Sequence, residues 1–455
     1  MLNSLKVENF KAWRTLDIEF GRVTGLFGAN SSGKSSILQF LLMLKQTKNA
    51  TDRRLVLDFG EPDALVNLGN YRDVVHKHDE NAIIHWSVDW TTPTPVKFEG
   101  RRSLLFDFKQ SGKCLQTECR VGWRSSKLQA EYLRYNLGGR GFNLKPISED
   151  RKKFELTSNL DPYLRPVQNQ GWPKWLPGPV KTHLFPFQIK SSYRNADLLN
   201  TFEIEYESLM DRIFYLGPIR DYPKRDYSWA GAAPSDVGLR GERTVEAILA
   251  ATTNGEKRNL GPRKRRKPFQ AMIAHWLKEL GLVNAFEIHE VAEGSNLYRT
   301  SVTTHPGSSR VMLTDIGVGV SQVLPALVLL YYVPERSIVL LEQPEIHLHP
   351  SVQSGLADLI LTAAKTRQLQ VIVESHSEHL LRRFQRRVAE DAVASRDVKL
   401  YFASMSTDGT ARLHDLKINQ WGEIMNWPEN FFGNDLAEIS ATRVAGLKRK
   451  ARGDE

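Results

Sequence analysis

The sequence predicts an α/β fold, in which a mainly parallel core sheet with flanking helices carries an N-terminal β-hairpin and an inserted region rich in strands and loops. Three observations lead to this fold class. An apolar run at 23–27 leads through a glycine-rich loop into an apolar helical run at 37–44, as in parallel α/β sheets. Two later apolar runs, 336–341 and 369–373, are each followed by a glutamate. Between about 93 and 190, aromatic residues and prolines are frequent and no helical period persists, which indicates the insertion.

The composition is that of a folded protein with two or three domains. The chain has 455 residues, of which 41% are hydrophobic and 25% charged, so it can bury a sizeable core. The net charge of +10 is compatible with nucleic acid or another polyanion as a partner. Cys114 and Cys119 are too few for a disulfide framework or a four-ligand zinc site. No apolar run is long enough to cross a bilayer and no signal peptide is recognisable, so we expect a cytoplasmic protein.

Alternating apolar and polar residues at 5–10 and 16–20 predict a β-hairpin with one buried face. Further strands are predicted at 53–59 and 82–90. The region that follows is expected to be an insertion of short strands and loops. These boundaries divide the chain into the first part of the core at 1–92, the insertion at 93–200, the second part of the core at 201–415 and a C-terminal tail domain at 416–455.

After the insertion, the hydrophobic pattern again shows helical and extended periods. It predicts a strand at 214–216, a hairpin from 286–291 and 299–303, and helices at 202–210, 244–251 and 269–280.

Two stretches outside the core have a structural and a functional interpretation. Trp172 and Trp175 either pack in a small satellite core, which we favour, or form a binding face. The densest run of charge is either a solvated loop, which we also favour, or a loop that contacts the phosphates of nucleic acid. This basic run consists of Arg263, Lys264, Arg265, Arg266 and Lys267.

Residues 28–35, with the sequence Gly-Ala-Asn-Ser-Ser-Gly-Lys-Ser, have the G-x-x-x-x-G-K-[ST] spacing of a phosphate-binding loop. Glycines let backbone N–H groups face the phosphates, Lys34 can reach the β- and γ-phosphates, and the Ser35 hydroxyl can hold Mg²⁺. This stretch therefore predicts a nucleotide site. Its binding residues are expected to be Asn30, Ser31, Ser32, Gly33, Lys34, Ser35 and Ser36.

A second half of the site is predicted from the last third of the chain. The glycine loop 314–322 opens the apolar helix 323–332, and a helix N-terminus can receive phosphate. Glu342 ends a buried strand at the edge where α/β sheets bind ligands, so it is placed to hold Mg²⁺. The next buried strand is followed by Glu374 and, two residues later, by His376.

These motifs, in this order, resemble those of ABC-type ATPases of the SMC, RecF and OLD kind. In that family, residues 28–35 would be the Walker A loop, 317–322 the signature loop, 342–350 Walker B with the D-loop, and His376 the switch histidine. The resemblance implies an ABC-type P-loop ATPase head with ATP and Mg²⁺ as ligands. It also implies a head-to-tail homodimer, in which the signature loop of one protomer closes over ATP held by the Walker A loop of the other. The expected contacts of the signature loop are Gly319, Ser321 and Gln322.

The stretch at 422–432 resembles the short uncharacterised C-terminal domain of many bacterial ATPases of this branch, which are frequently encoded in anti-phage defence loci. The resemblance therefore implies a dimeric ATP switch or sensor in antiviral defence that acts with a separate effector protein. A RecF-like DNA-binding ATPase of DNA repair is one alternative, since the basic run would suit DNA. An OLD-type nuclease is a second alternative, although no acidic Toprim cluster is recognisable after His376.

Three features depart from the family pattern. Glu342 replaces the usual Walker B aspartate, which a metal site tolerates. Gln343 stands where a glutamate usually activates the attacking water, and glutamine cannot accept a proton. Hydrolysis is therefore expected to be slow, with Glu345, which we favour slightly, or Glu374 as the base, or with water positioned by Gln343 and His376. The signature loop also lacks the usual Ser-Gly-Gly pattern, so its contact with the γ-phosphate is open.

His347 and His349 flank one leucine. On an extended segment their side chains would share a face and could bind a metal. We favour a structural role, because the resemblance places both residues in the D-loop.

Overall fold

The computed structural model describes residues 1–103, 106–149, 151–159, 175–193, 196–261 and 265–428, together with residues 167 and 444. For residues 98–103, 106–110 and 197 it describes the backbone alone. Trp172, Arg263 and Lys264 lie outside the described residues, as does most of the chain beyond 428. Within the described ranges, no helix is both long and apolar enough to cross a membrane.

Strands and helices follow one another along the described chain. The strands are β1 (Leu2–Phe10), β2 (Trp13–Glu19), β3 (Val23–Gly28), β4 (Ile84–Ser103), β5 (Phe106–Arg124), β6 (Lys127–Leu137), β7 (Arg140–Pro146), β8 (Phe154–Ser158), β9 (Ile213–Leu216), β10 (Tyr227–Ser228), β11 (Lys257–Asn259), β12 (Arg266–Pro268), β13 (Ala285–Glu290), β14 (Leu297–Thr303), β15 (Val311–Met312), β16 (Ile338–Glu342), β17 (Gln370–Glu374), β18 (Val398–Met405) and β19 (Ala411–Leu416). The helices are α1 (Lys34–Asn49), α2 (Tyr71–Val74), α3 (Phe187–Ser192), α4 (Asp197–Asp211), α5 (Thr244–Thr253), α6 (Phe269–Glu279), α7 (Gly319–Tyr332), α8 (Pro350–Thr366) and α9 (Glu378–Ala389).

The first sheet is antiparallel and begins with the predicted hairpin of β1 and β2, in which Leu5 lies opposite Ile18. Its seven strands have the order β2-β1-β4-β5-β6-β7-β8. The region predicted to be an insertion therefore continues this sheet. The prediction of short strands is wrong, because β4 and β5 are 20 and 19 residues long. The two strands pair with each other along most of their length. Each has a second neighbour over only part of it, β4 with β1 at 85–90 and β5 with β6 at 115–124.

The strand predicted at 53–59 is also wrong, since this stretch forms turns. The Asp52 carboxylate accepts the N–H of Arg54 at 2.8 Å, and the Asp58 carboxylate accepts the N–H of Gly60 at 2.9 Å. Aspartates that bond to the backbone two residues further on offer it an alternative to a sheet ladder. The alternating pattern was therefore outweighed by local side-chain chemistry.

The core sheet has six strands in the order β19-β18-β3-β17-β16-β9. β3 is parallel to β17 and β18, and β16 is parallel to β17 and β9, whereas β19 is antiparallel at one edge. β16 and β17 are buried throughout, as expected of parallel strands covered on both faces. Because parallel strands end at the same edge, Gly28, Glu342 and Glu374 come together there. The predicted α/β fold class, with an N-terminal hairpin sheet and a mainly parallel core sheet, is confirmed.

Two hydrophobic cores lie on opposite faces of the core sheet. One contains Leu340 and Ile372 together with side chains of the first sheet, α1 and α4. The other contains Leu341 and Val373 together with side chains of α5 to α9. Successive residues of β16 and β17 thus alternate between the two cores, as the period of a strand requires.

Gln370, buried in β17, joins the core sheet to the N-terminal hairpin. Its Oε1 accepts the N–H of Leu2 at 2.8 Å, and its Nε2 donates to the carbonyls of Leu2 at 2.7 Å and Gly21 at 2.9 Å. A buried amide is stable only when it is hydrogen-bonded, so these three bonds fix the position of the hairpin relative to β3.

Gly28→Ala is expected to destabilise the fold more than an ordinary glycine substitution. Gly28 has a φ of +137°, and an added Cβ would lie 2.1 Å from the carbonyl oxygen of Ala403 in β18. Gly231 is the matched control, because it has a φ of +90° but no atom within 4 Å of an added Cβ. Gly231→Ala carries only the strain of a positive φ, about 1–2 kcal/mol. In urea unfolding we expect Gly28→Ala to cost about 2 kcal/mol more than the control, and equal losses would contradict a close approach of β3 and β18.

Candidate nucleotide site

The phosphate-binding loop joins β3 to α1. Gly33 has a φ of +91° and immediately precedes Lys34, the first residue of α1. Residues 29–31 are exposed on the outside of the loop, and the buried Ser32 donates its hydroxyl to the carbonyl of Ala29 at 2.9 Å. Ser36 already donates its N–H to the Gly33 carbonyl at 3.2 Å. The N–H groups that precede this first helical bond have no helical partner and are available to phosphate oxygens.

Lys34 is 3% exposed, and its side chain is hydrogen-bonded to the phosphate-binding loop. Its Nζ donates to the carbonyls of Gly28 at 3.0 Å and Ala29 at 2.7 Å. Burial lowers the pKa of its ammonium group, and three nearby carboxylates oppose this shift. This carboxylate cluster consists of Glu374, Glu345 and Glu342.

Glu342 and Glu374 are paired in register at the ends of β16 and β17. Glu374 Oε1 accepts the Ser35 hydroxyl at 2.9 Å, and Glu342 Oε2 accepts the Tyr215 hydroxyl at 2.6 Å. Burial and the Glu342 carboxylate raise the pKa of Glu374 to about 7, although the Ser35 hydroxyl and Lys34 oppose this.

The oxygen atoms at this edge fit Mg²⁺, which prefers hydroxyl, carboxylate and phosphate oxygens. Glu374 Oε2 is buried without a hydrogen-bond partner, so it can still accept a ligand. Ser35 and Glu342 remain the expected ligands, and Glu374 is a further candidate that the structure adds.

Glu345 lies in the turn after β16 and is 6% exposed. Its Oε1 accepts the backbone N–H of His376 at 2.7 Å, whereas its Oε2 is buried without a partner. Burial raises the pKa of this carboxyl, and the bonds from His376 and Ser375 oppose the shift. Desolvation and the nearby Lys34 lower the pKa of the His376 imidazole. Glu345 thus connects the turn after β16 to the loop after β17.

Gln343 follows β16 with a φ of +44°. Its N–H donates to the carbonyl of Glu374 at 2.8 Å, and its side chain acts to lower the pKa of the Glu374 carboxyl. The structure therefore brings the four candidate catalytic residues together, while their roles in hydrolysis stay predictions. These residues are Gln343, Glu345, Glu374 and His376.

The signature loop leads into α7, which begins at Gly319. Ser321 is 7% exposed, and its hydroxyl donates to the carbonyl of Val318 at 2.7 Å. The N–H of Gln322 donates to the same carbonyl at 3.0 Å. Val318 itself is 44% exposed. Val318 and Gly317 are exposed at this helix start, and Gly319 and Gln322 are partly exposed, whereas Ser321 is buried. The contacts predicted for Gly319, Ser321 and Gln322 stay predictions.

Sequence analysis did not single out two residues at this edge, Tyr215 and Arg220. Tyr215 lies in β9, and Arg220 follows the Gly-Pro pair that ends this strand. Arg220 is 6% exposed, and its Nη2 donates to the Glu342 carbonyl at 3.4 Å. Both residues could have been predicted from the position of β9 beside β16, because residues at the carboxyl ends of neighbouring parallel strands lie at the same edge of the sheet.

The two histidines of the D-loop make different contacts. His349 precedes α8, and its Nδ1 accepts the N–H of Ser351 at 3.3 Å. His347 is exposed. Among the residues that the structure describes, no group of three or more His, Cys, Asp or Glu side chains is arranged to hold a metal ion.

The described part of the basic run lies at the surface. Arg265, Arg266 and Lys267 are exposed, and the last two belong to β12, which pairs with β11. Their contact with nucleic acid stays a prediction. Trp175 is 54% exposed, so the expectation that it packs in a satellite core is wrong.

Residues 1–92 and 256–381 match the family model described as AAA ATPase domain. The matched segments include the Walker A loop, the signature loop, Glu342 and His376, and the resemblance to ABC-type ATPases of the SMC and RecF kind is confirmed. Residues 393–440 match a second model, described as a protein of unknown function, DUF3696, which agrees with the short uncharacterised C-terminal domain expected from 422–432.

Comparison of the chain with curated proteins gives no match. Solved structures similar to the chain include an SMC head bound to the C-winged helix domain of ScpA, with 14% identity over 92% of this chain and 98% of that chain and a TM-score of 0.42. An SMC head domain from Thermotoga maritima has 12% identity over 92% and 99% of the two chains and a TM-score of 0.40. An SMC head domain with an extended coiled coil, bound to the C-terminal domain of ScpA derived from Pyrococcus furiosus, has 13% identity over 91% and 96% and a TM-score of 0.40.

Proposed function

We propose that the chain is an ATP-binding, slowly hydrolysing ABC-type ATPase that acts as a dimeric switch or sensor on a separate effector protein. The observation that supports this best is the hydrogen bond between Ser35 of the Walker A loop and Glu374 at the end of β17. The bond joins the phosphate-binding loop to the carboxylate cluster, so phosphates bound by the loop would lie next to the carboxylate oxygens that can bind Mg²⁺. An AAA ATPase domain implies that the nucleotide is ATP.

In the proposed complex, the loop N–H groups and Lys34 hold the β- and γ-phosphates of ATP. Lys34 donates to two carbonyls of its own loop. Its ammonium group therefore already lies beside the loop and can exchange these bonds for bonds to phosphate oxygens. Ser35 and Glu342 would hold Mg²⁺, which supplies positive charge to the phosphates.

Slow turnover is proposed from Gln343. Its amide cannot accept a proton, so the residue at the usual position of the base can orient the attacking water but cannot deprotonate it. Slow hydrolysis suits a switch, because the ATP-bound dimer then persists until a trigger arrives.

Val318→Arg is expected to weaken ATP-dependent dimerisation at least about tenfold, because a cation buried in an interface without a partner costs several kcal/mol. Val318 is the exposed apolar side chain at the start of α7, where the second protomer would contact the chain. Ser321 is a poorer position for this test, since a large side chain there would disturb the buried side of α7. The molar mass in solution, measured by light scattering with and without Mg²⁺ and ATP, checks the expectation.

The matched control for this test is Val291→Arg, because Val291 is also an exposed valine, 39% accessible, in the turn after β13. Both variants should bind ATP as the parent does. Dimerisation of the Val318 variant to the same extent as the control would rule out a dimer closed through α7.

The effector and the role in anti-phage defence are proposed from the resemblance of the C-terminal segment to ATPases encoded in defence loci. DNA binding, as in a RecF-like repair ATPase, is a second candidate function. The exposure of Arg265, Arg266 and Lys267 favours it, because three solvent-facing cations on one hairpin can contact a phosphate backbone.

A further inference from the structure

Arg220 is a buried cation with unused hydrogen-bond donors at the nucleotide edge. Its side chain is 6% exposed, and its single hydrogen bond to a described residue runs from Nη2 to the Glu342 carbonyl, at the long distance of 3.4 Å. Nε and Nη1 are both buried and have no hydrogen-bond partner. A guanidinium has five N–H donors, so most of the donors of Arg220 have no partner among the described residues.

The charge of Arg220 is also incompletely neutralised. Burial lowers the pKa of its guanidinium to about 10, which keeps it charged at neutral pH, and Tyr215, Glu342 and Glu345 oppose this shift. None of the described carboxylates forms an ion pair with it, and the Glu342 carboxylate instead accepts the Tyr215 hydroxyl. A buried charge without a direct counter-ion is costly, so the site suits a ligand that brings negative charge.

The position of Arg220 indicates which anion this is. Lys34 and Arg220 both interact electrostatically with Glu342 and Glu345, so the two cations lie around the same carboxylates. Lys34 belongs to the loop that holds the β- and γ-phosphates. A planar guanidinium can donate two parallel hydrogen bonds to phosphate oxygens, whereas an ammonium group acts as a point charge.

We propose that Arg220 donates hydrogen bonds from Nε and Nη1 to the terminal phosphate of ATP, and that it makes the chain prefer ATP over ADP. This inference rests on the proposed ATP-binding function and adds a residue from the segment after β9 to the site. Arg220 therefore couples the end of β9 to the presence of the γ-phosphate.

The same contact stabilises the transition state of hydrolysis. The water oxygen bonds to the γ-phosphorus, the bond from that phosphorus to the bridging oxygen breaks, and its electron pair stays on ADP. The water proton passes to a carboxylate of the cluster, while Arg220 stays protonated and faces the charge on the equatorial oxygens.

The test measures the affinities of Arg220→Gln and Arg220→Lys for ATP and ADP, with Mg²⁺ present, by calorimetry. Gln keeps a donor for the Glu342 carbonyl but removes the charge, and we expect it to lose about 10- to 100-fold in ATP affinity with little change for ADP. Lys keeps the charge, so Arg220→Lys should recover part of the ATP affinity. Its single-turnover rate should stay at least tenfold below that of the parent, because an ammonium group cannot donate two parallel hydrogen bonds as a guanidinium does.

Arg367→Gln is the matched control, because Arg367 is also 6% exposed and donates to a carbonyl, that of Tyr331, away from the candidate site residues. It should lower stability while keeping the ATP-to-ADP affinity ratio of the parent. The same ratio in Arg220→Gln as in this control would overturn the inference and leave Arg220 a packing residue. A parent chain that binds neither nucleotide would instead overturn the proposed function itself.

Discussion

Replacing Lys34 with alanine is expected to lower ATP affinity by at least about 100-fold, because each hydrogen bond from a charged donor to phosphate contributes about 1.5–3 kcal/mol. The loss should affect ADP as well, since the Walker A lysine contacts the β-phosphate that both nucleotides carry. Calorimetric titration with each nucleotide measures the effect. This pattern differs from that expected at Arg220, where the ATP affinity alone falls.

A substitution at Lys34 also removes a buried side chain and leaves the Gly28 and Ala29 carbonyls without their donor. Lys34→Met, which keeps most of the apolar stem, limits this disturbance. Lys48→Ala removes a lysine from the other end of α1, where it pairs with Asp211 at 2.6 Å, and should leave nucleotide affinity unchanged. Nucleotide binding by Lys34→Met equal to that of Lys48→Ala would show that the loop holds no phosphate through this lysine.

The second large effect is expected for the residue that activates water. Glu345→Gln should slow single-turnover hydrolysis by about 100-fold or more while ATP affinity stays close to that of the parent. Its Oε2 is buried without a partner and can accept a proton, while Oε1 is fixed by the N–H of His376. The parent should already turn over below the roughly 10 per second typical of enzymes, and Gln343→Glu should raise its rate.

Glu374→Gln separates the two candidate bases. Glu374 Oε1 accepts the Ser35 hydroxyl, so this variant is expected to weaken the Mg²⁺ dependence of ATP binding as well as hydrolysis. An unchanged rate in Glu345→Gln with a collapse in Glu374→Gln would move the role of base to Glu374. Unchanged rates in both variants would leave the chemistry to water positioned by Gln343 and His376.

The parts of the fold that the sequence predicted are those with a clear period or a fixed spacing. β1, β2 and β3 follow from alternation and from the glycine loop, and the parallel strands β16 and β17 follow from apolar runs that end in glutamate. The common edge of those strands then placed Glu342 and Glu374 beside the Walker A loop, since topology alone brings such ends together.

The parts that the sequence did not predict depend on contacts between distant residues. The length of β4 and β5 comes from their pairing with each other beyond the parts that contact β1 and β6, and the frequent prolines and aromatic residues of this region did not predict that pairing. Tyr215 belongs to β9, a strand of four residues, and Arg220 follows that strand. Their relevance is visible only once β9 lies beside β16. The burial of Ser321 depends on how the first turn of α7 is packed.

The arrangement of the core sheet also determines when the nucleotide site can form during synthesis. β3 and the Walker A loop are made within the first tenth of the chain, yet the two neighbours of β3 are β17 and β18, which lie between Gln370 and Met405. A nascent chain therefore exposes the loop with an unpaired strand until β17 and β18 have left the ribosome. Contacts of such long sequence separation form slowly, because the entropy of closing the intervening chain must be overcome first. ATP can thus stabilise the chain only after these two strands have been made, and β3 must pair with them without help from the ligand.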